Sequence, residues 1–565
     1  MSAPRNKRRL EDLLPLGYFG LVVLLALLVL PTILRTPQTP PTQAAELSPD
    51  APPDPEQQSL ISSFSRGVSG TAGEGDGVGG GDSGATPTTI AGKAPPRACP
   101  FGVGNPPRQT FSYFSAPCAG PFTGKNGGAT WKGVTANEVR VAIADPNGDH
   151  GTDGLVPDVP RPNESDADRT YRVFQQWFNS RYQFWGRRLQ LAVINGDDSV
   201  DTSKQRAVAV SADENYHVFA ADIGRYPSME ELARRQIISF GEQGDYFNGS
   251  WLADHRPYTW TTRADATLLM RLAGEFACKN LVGRVAEHAG GALASQKRVF
   301  GFLYQDNDGY RRSLPEFRDA LAPCGGTVKV AIGFPGDGGS SADGNTVSSA
   351  VARMRAQGVT TVVASVDVLD SALVGSTATA QSWFPEWFVT GMGLLDENLD
   401  ATLQDSAQWT HAFGIGAAPI SDPQLNAGDV NPIIGMRAYH EIDPSGSPDF
   451  NITIRLFAQL EQIANGIQMA GPNLTPQTFE QGLMRMGPRV QDLPPWEVVG
   501  GFGTGDYSFA DKVGILWWDP NAPNDTSTSG AYRWINGGKR YGLGQLPSSV
   551  PELFKTGASK RVDAK

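Results

Sequence analysis

From Val139 onward, short apolar runs alternate with stretches whose apolar residues recur every three or four positions. Val141-Ala142-Ile143-Ala144 is a continuous apolar run of the kind carried by parallel strands buried on both faces. Tyr171, Phe174 and Phe178 mark one helical face within 167–182. Leu189 to Ile194 returns to a strand pattern and stops at Asn195-Gly196-Asp197-Asp198. The same reading predicts a helix over 204–215, a strand over 217–222 and a helix over 228–240. A second series begins after Tyr258. Leu269, Leu272 and Phe276 give a helix over 264–281, and Val299 to Tyr304 gives a strand. A helix over 310–322 and a strand over 327–332 come next. Val347, Val351 and Met354 mark another helix, and Thr361 to Ser365 another strand.

Two successive strand–helix series with short crossovers predict an α/β protein made of two doubly wound parallel-sheet lobes joined by a hinge. In such sheets ligands sit outside the carboxyl ends of the strands. With two lobes facing each other, that location becomes a cleft.

The first 97 residues read differently. Arg5, Lys7, Arg8 and Arg9 precede an apolar run from Leu16 to Leu34, 19 residues. As a helix this run is roughly 28 Å long, close to the hydrocarbon thickness of a bilayer. The positive flank places residues 1–15 in the cytoplasm as a short tail and the remainder outside. The competing reading is a cleaved signal peptide. Its only plausible site, Thr42-Gln43-Ala44, lies far beyond the apolar run, so an uncleaved transmembrane signal anchor over 16–34 is preferred. Residues 35–97 are rich in Pro, then in Gly and Ser, and too poor in apolar residues to fold. They predict a disordered linker with an r.m.s. reach of roughly 45 Å. Gly79-Gly80-Gly81 follows no strand and opens no helix, so it is not a phosphate loop.

Composition narrows the function classes. Residues 98–565 carry 40 Lys and Arg against 50 Asp and Glu, and the whole chain has a formal charge of −11. Such a body lacks a basic surface for phosphate contacts, which argues against nucleic acid as a partner. The four cysteines, Cys99, Cys118, Cys278 and Cys324, all fall on the predicted outer side. Their even number there reads as two disulfides. The local pairing Cys99–Cys118 and Cys278–Cys324 is favoured over the two alternatives. No Cys-x-x-Cys or paired His spacing points to a metal, and no cofactor is expected. His150, His217, His255, His288, His411 and His440 have no neighbouring nucleophile signature, and an enzyme is not expected. Asp306-Asn307-Asp308-Gly309 lacks the glutamate that a calcium loop requires.

Gly133-Val134-Thr135 followed by Glu138-Val139-Arg140-Val141, and Phe178-Asn179 followed by Gly186-Arg187-Arg188-Leu189, form an ordered motif set. Gln305 to Tyr310 and Phe388-Val389-Thr390-Gly391 continue it in the second half. In that order the chain over about 133–546 resembles the type I periplasmic binding proteins, in particular the branched-chain amino-acid-binding branch of ABC importers. Within an extension over 98–133 that holds Cys99 and Cys118, the piece from Tyr113 to Thr130, with Pro117-Cys118 and Asn126-Gly127-Gly128-Ala129-Thr130, resembles the N-terminal extensions of related actinobacterial proteins.

The resemblance implies three crossings between lobes, lobe one at about 134–258 and 412–495, and lobe two at about 259–411 and 496–546, followed by a tail over 547–565. It puts ligand contacts at Asp145 and Asn147 after the first strand, Asp222 and Gly224 after the third, and Trp260 and Thr261 near the first crossing. From the second lobe it adds Tyr310, Asp367 and Gly391. A helix-capping role competes at Asp145 and Asp222, and interlobe packing at Trp260. Amino-acid binders of this family place an acidic side chain directly after Thr390-Gly391 to hold an ammonium. Here Met392-Gly393-Leu394-Leu395 intervenes before Asp396, so an ordinary amino acid is not the expected ligand. Two functions follow. One is a solute-capture subunit, anchored in the cell membrane, that hands a small molecule to an ABC permease. The other is an envelope sensor or scaffold built on the same fold.

If the anchor is retained, protein extracted from membranes will keep residues 16–34, and N-terminal sequencing checks this. A chain beginning at Ala45 would show cleavage instead.

Overall fold

β1 (Glu138–Asp145) is buried along most of its length because it lies between two parallel neighbours. The computed structural model describes residues 114–145, 154–196, 201–241, 247–306, 308–334, 344–420, 434–486, 498–523 and 529–555. All belong to one compact unit, Ala85–Lys565. After β1 come α1 (Asp166–Arg181), β2 (Arg188–Asn195), α2 (Thr202–Glu214), β3 (Ala220–Asp222) and α3 (Tyr226–Arg234). β4 (Ile238–Gly241), α4 (Gly249–Asp254) and β5 (Thr259–Thr261) complete the series. Its strands form an all-parallel sheet in the order β2-β1-β3-β4-β5. Ser165 and Asp201 start α1 and α2 by accepting the backbone N–H groups of Asp168 and of Ser203 and Lys204.

The helix expected over 228–240 is corrected. It ends at Arg234, and Gln236 takes a left-handed backbone (φ 62°) that no α-helix continues through. Ile238 to Gly241 then enters the sheet as β4. Ile237, Ile238 and Phe240 make a short apolar stretch that could serve either element, and the sheet decides.

The second series runs α5 (Ala266–Asn280), β6 (Phe300–Gln305), α6 (Asp308–Arg311), α7 (Ser313–Leu321), β7 (Val328–Phe334) and α8 (Gly344–Ala356). It continues with β8 (Thr361–Ser365), α9 (Val368–Ala380), β9 (Glu386–Val389), α10 (Asn398–Ala401), α11 (Ser406–Trp409) and β10 (Ala412–Gly416). The chain then gives α12 (Ile434–Ile442), α13 (Phe450–Ala470) and α14 (Pro476–Met486) to the first lobe, with α13 against β3, β4 and α1. It returns to the second as β11 (Gly514–Pro523) and β12 (Ser529–Trp534). The second sheet has the order β12-β11-β10-β9-β8-β6-β7, antiparallel at β10-β11-β12 and parallel elsewhere. Phe300, Phe302, Phe388 and Phe413 face a core shared with α5 and α7. Leu303, Val330, Val362 and Trp387 face the opposite core.

Two expected lobe boundaries shift. Thr259–Thr261 pairs with β4 in the first sheet, and Ala412–Gly416 pairs with β9 and β11 in the second. Backbone pairing, rather than the order of motifs, sets where the chain leaves each lobe. Among the described residues no helix is long and apolar enough to cross a membrane, and residues 16–34 lie outside them. Cys278 and Cys324 form a disulfide with Cα atoms 5.7 Å apart. Cys118 is also disulfide-bonded, and Cys99 lies outside the described residues.

The extension over 114–133 is tied into the first lobe by polar residues of α13. Glu461 accepts the hydroxyls of Ser115 (3.0 Å) and Tyr182 (2.9 Å). Asn465 accepts the Ala116 N–H (3.0 Å) and donates to the Phe114 carbonyl (2.7 Å). Gln468 donates to Pro117 (2.7 Å) and accepts from Gln183 (2.8 Å). A helix with buried carboxamides on this face is stable only because a second chain segment satisfies them. Asn465→Ala would strand two buried backbone groups, and a loss of about 2–4 kcal/mol is expected. Urea unfolding checks this through the midpoint at constant slope. An unchanged midpoint would show that the extension merely lies on the surface.

Candidate functional site

The carboxyl ends of β1 and β3 set one wall of the site. Asp145 and Asp222 are both buried there, on adjacent strands. Asp145 accepts a hydrogen bond from the Tyr171 hydroxyl of α1 at 2.8 Å. Burial, and then the Asp145 charge, push the Tyr171 hydroxyl well above the usual tyrosine range, so it stays a donor. Asp449 and Asp222 act on the same hydroxyl. Asp145 therefore holds a phenol. Gly224 follows Asp222 as buried backbone, and Asn147 lies outside the described residues.

Trp260 takes the packing role that competed with ligand contact. Its ring is fully buried among Phe240, Phe479, Phe502 and Tyr507, with its indole N–H donated to the Pro257 carbonyl at 2.7 Å. It packs the joint and offers no stacking face. Thr261 sits in the same joint. Its hydroxyl donates to the Gly241 carbonyl (2.8 Å), and its N–H donates to the Tyr507 carbonyl (3.0 Å). Tyr310 belongs to α6 and is 2% exposed, within the core cluster.

The second wall gathers Asp367, Gly391 and residues that periodicity did not single out. Asp367 caps α9 by accepting the Leu369 N–H (2.9 Å), and its own N–H donates to Gln305 at the end of β6 (3.3 Å). Gly391 and Gly393 both have positive φ. A Cβ on Gly393 would meet the Val366 carbonyl oxygen at 1.9 Å, so only glycine fits. This turn brings Asp396 back to the end of β10, where its Oδ2 accepts the N–H groups of Ala417 (2.8 Å) and Ala418 (2.9 Å). Arg540 completes the clamp by donating to the Gly416 carbonyl at 3.0 Å and to the Ala418 carbonyl. Asp396 is thus spent on the start of the second crossing. The glycines at 391 and 393 were the available signal for it.

Glu397 pairs with Arg263 of the first crossing at 2.8 Å. Asp400 is buried beside it, and burial followed by the Glu397 charge holds its carboxyl well above the usual range. Arg263 of the first crossing, Asp367 of the second lobe and Arg455 of α13, in the first lobe, also act on Asp400. The Arg263–Glu397 pair thus ties the first crossing to the second lobe. A further polar contact spans the lobes, with Arg312 donating to the Ser250 hydroxyl at 3.2 Å. Among the described residues no group of His, Cys, Asp and Glu is arranged to hold a metal ion.

No family model and no curated protein matches this sequence. Solved structures do. An ABC transporter substrate-binding protein from Aeropyrum pernix is 13% identical, with 74% of this chain and 97% of that one covered and a TM-score of 0.50. An ABC transporter solute-binding protein from R. palustris, solved with 4-hydroxybenzoate, is 11% identical, with 73% and 98% covered and the same TM-score of 0.50. The fold is that of the type I periplasmic binding proteins. In α/β folds of this kind ligands sit outside the carboxyl ends of the strands.

Asp396 supplies a test of the clamp. Burial, then the Glu397 charge, push its carboxyl up to about 6. A folded-state value above the unfolded one favours the neutral form, so the fold is penalised as pH rises from about 4 to 6 and fully penalised above that. Asn keeps an acceptor for both N–H groups and has no charge. Asp396→Asn should therefore be more stable than the parent at pH 7, by up to about 3 kcal/mol, with the gap closing near pH 4. Chemical denaturation at several pH values measures it, and a gap independent of pH would contradict the assignment.

Proposed function

We propose that this chain is an extracytoplasmic solute-binding protein, tethered by residues 16–34, that captures a small molecule between its lobes for an ABC-type importer. The observation that carries this reading is the Arg263–Glu397 ion pair, which joins the first crossing to the second lobe beside the buried Asp400. Strand ends facing one another are where α/β sheets bind ligands, and a site shared by two lobes gains contacts on closure that neither supplies alone. The fold shared with substrate-binding proteins of ABC transporters supports the same reading. Binding and release of the ligand are the activity this reading assigns. Asp145, Asp222 and Asp367 give the walls an acidic character, with Arg263 and Arg455 as the opposing charges.

A thermal-shift screen of small solutes, including aromatic acids, amines and amino acids, tests the proposal. A true ligand at a hundred times its Kd should stabilise the protein by about 2.7 kcal/mol. It should also contract the protein in solution scattering. A broad screen with neither effect would favour the sensor or scaffold role.

A further inference from the structure

The first and third crossings run side by side. Thr261 donates its N–H to the Tyr507 carbonyl (3.0 Å), Phe509 donates to the Thr261 carbonyl (3.0 Å), and Ala510 donates to the Arg263 carbonyl (3.4 Å). The extension over 114–133 reaches this joint through one ring. Phe114 is 3% exposed, and its ring lies 4.6 Å from that of Phe509, at 60°. Phe509 packs in turn on Phe502 (5.5 Å, 71°), and Phe502 on Trp260 at the head of the first crossing (5.0 Å, 83°). All three contacts are edge-to-face, an arrangement that ties the position of each ring to the next.

On its other side Phe114 belongs to the first lobe. Its carbonyl accepts from Asn465 of α13 (2.7 Å), and the same side chain accepts the Ala116 N–H (3.0 Å). The ring thus stands between a helix of the first lobe and a crossing that leads into the second. A rotation of the lobes about the crossings moves Phe509, while Asn465 keeps the Phe114 backbone on α13. In a close-packed interior the ring must then give up its contact or hold the crossing where it is. Phe122, further along the extension, packs on Trp185 of the first lobe at 5.4 Å.

We propose that the extension is a strap on the hinge: Phe114, anchored on α13, braces Phe509 and restrains the opening of the paired crossings. Phe122 seats the extension on the first lobe, and Phe114 carries the restraint. The same segment is the one expected to join the linker over 35–97 to the body, which puts the strap on the path from that linker to the hinge. The restraint acts with or without a ligand and does not depend on the transport reading.

Hydrogen exchange measured by mass spectrometry on the full chain tests this, at exchange times that leave β1 and β8 unlabelled. In Phe114→Ala, protection in peptides spanning Thr261 and Phe509 should fall by about tenfold, in line with the loss of one buried aromatic contact. Phe122→Ala should leave the crossings at the parent's protection. Should Phe114→Ala not fold, Phe114→Leu replaces it. Leucine keeps the apolar bulk and loses the ring contact, and a fall of about threefold is expected. Unchanged protection at the crossings in the Phe114 variant would overturn the proposal. So would crossings that become labelled only together with β1 and β8, or a fall in Phe122→Ala as large as that in Phe114→Ala.

Discussion

The backbone pairing of Thr261 with Tyr507 and Phe509 is the constraint on which the rest of the molecule depends. A chain that builds two sheets and visits each more than once must pass between them, and every passage exposes peptide groups that neither sheet can satisfy. Here two passages satisfy one another. Their pairing fixes Trp260 against Phe502 and Tyr507, and that aromatic cluster joins the cores of the two lobes into one continuous apolar body. The Phe114 ring of the extension packs against Phe509 at 4.6 Å, so the segment that precedes the first strand also bears on the joint.

The second crossing solves the same problem with side chains. Asp396 takes two N–H groups and Arg540 takes two carbonyls from Gly416 to Ala418, so a carboxylate and a guanidinium do what a neighbouring strand would do elsewhere. That arrangement consumes the acid nearest to where amino-acid binders of this fold would place an ammonium ligand. It also explains why Gly416 is glycine, since a Cβ there would meet the Asp396 Cβ at 2.7 Å. Buried acids recur at each junction: Asp145 and Asp222 at the first lobe's strand ends, Asp396 and Asp400 in the second lobe, and Asp265 at the hinge. An acid in such a place is held by donated hydrogen bonds or keeps its proton, and both solutions are present.

Much of this was legible in the sequence. The apolar runs at Val141, Leu189, Val299 and Thr361 became parallel strands because a run of four or more apolar residues is buried on both faces only inside such a sheet. The helical faces around Phe174, Leu272 and Val351 packed against them for the same reason. The Cys278–Cys324 pair followed from helices flanking one strand. These are local or nearest-neighbour properties, and periodicity reports them directly. Tertiary structure alone decided where the chain changes lobe, because Thr259–Thr261 and Ala412–Gly416 are short strands whose partners lie in distant or intervening segments. It alone turned Trp260 and Tyr310 from candidate ligand contacts into core, since burial depends on what the other elements bring. And it alone brought Asp265 to Ser508: residues some 240 positions apart share a hydrogen bond only when two crossings have been laid side by side.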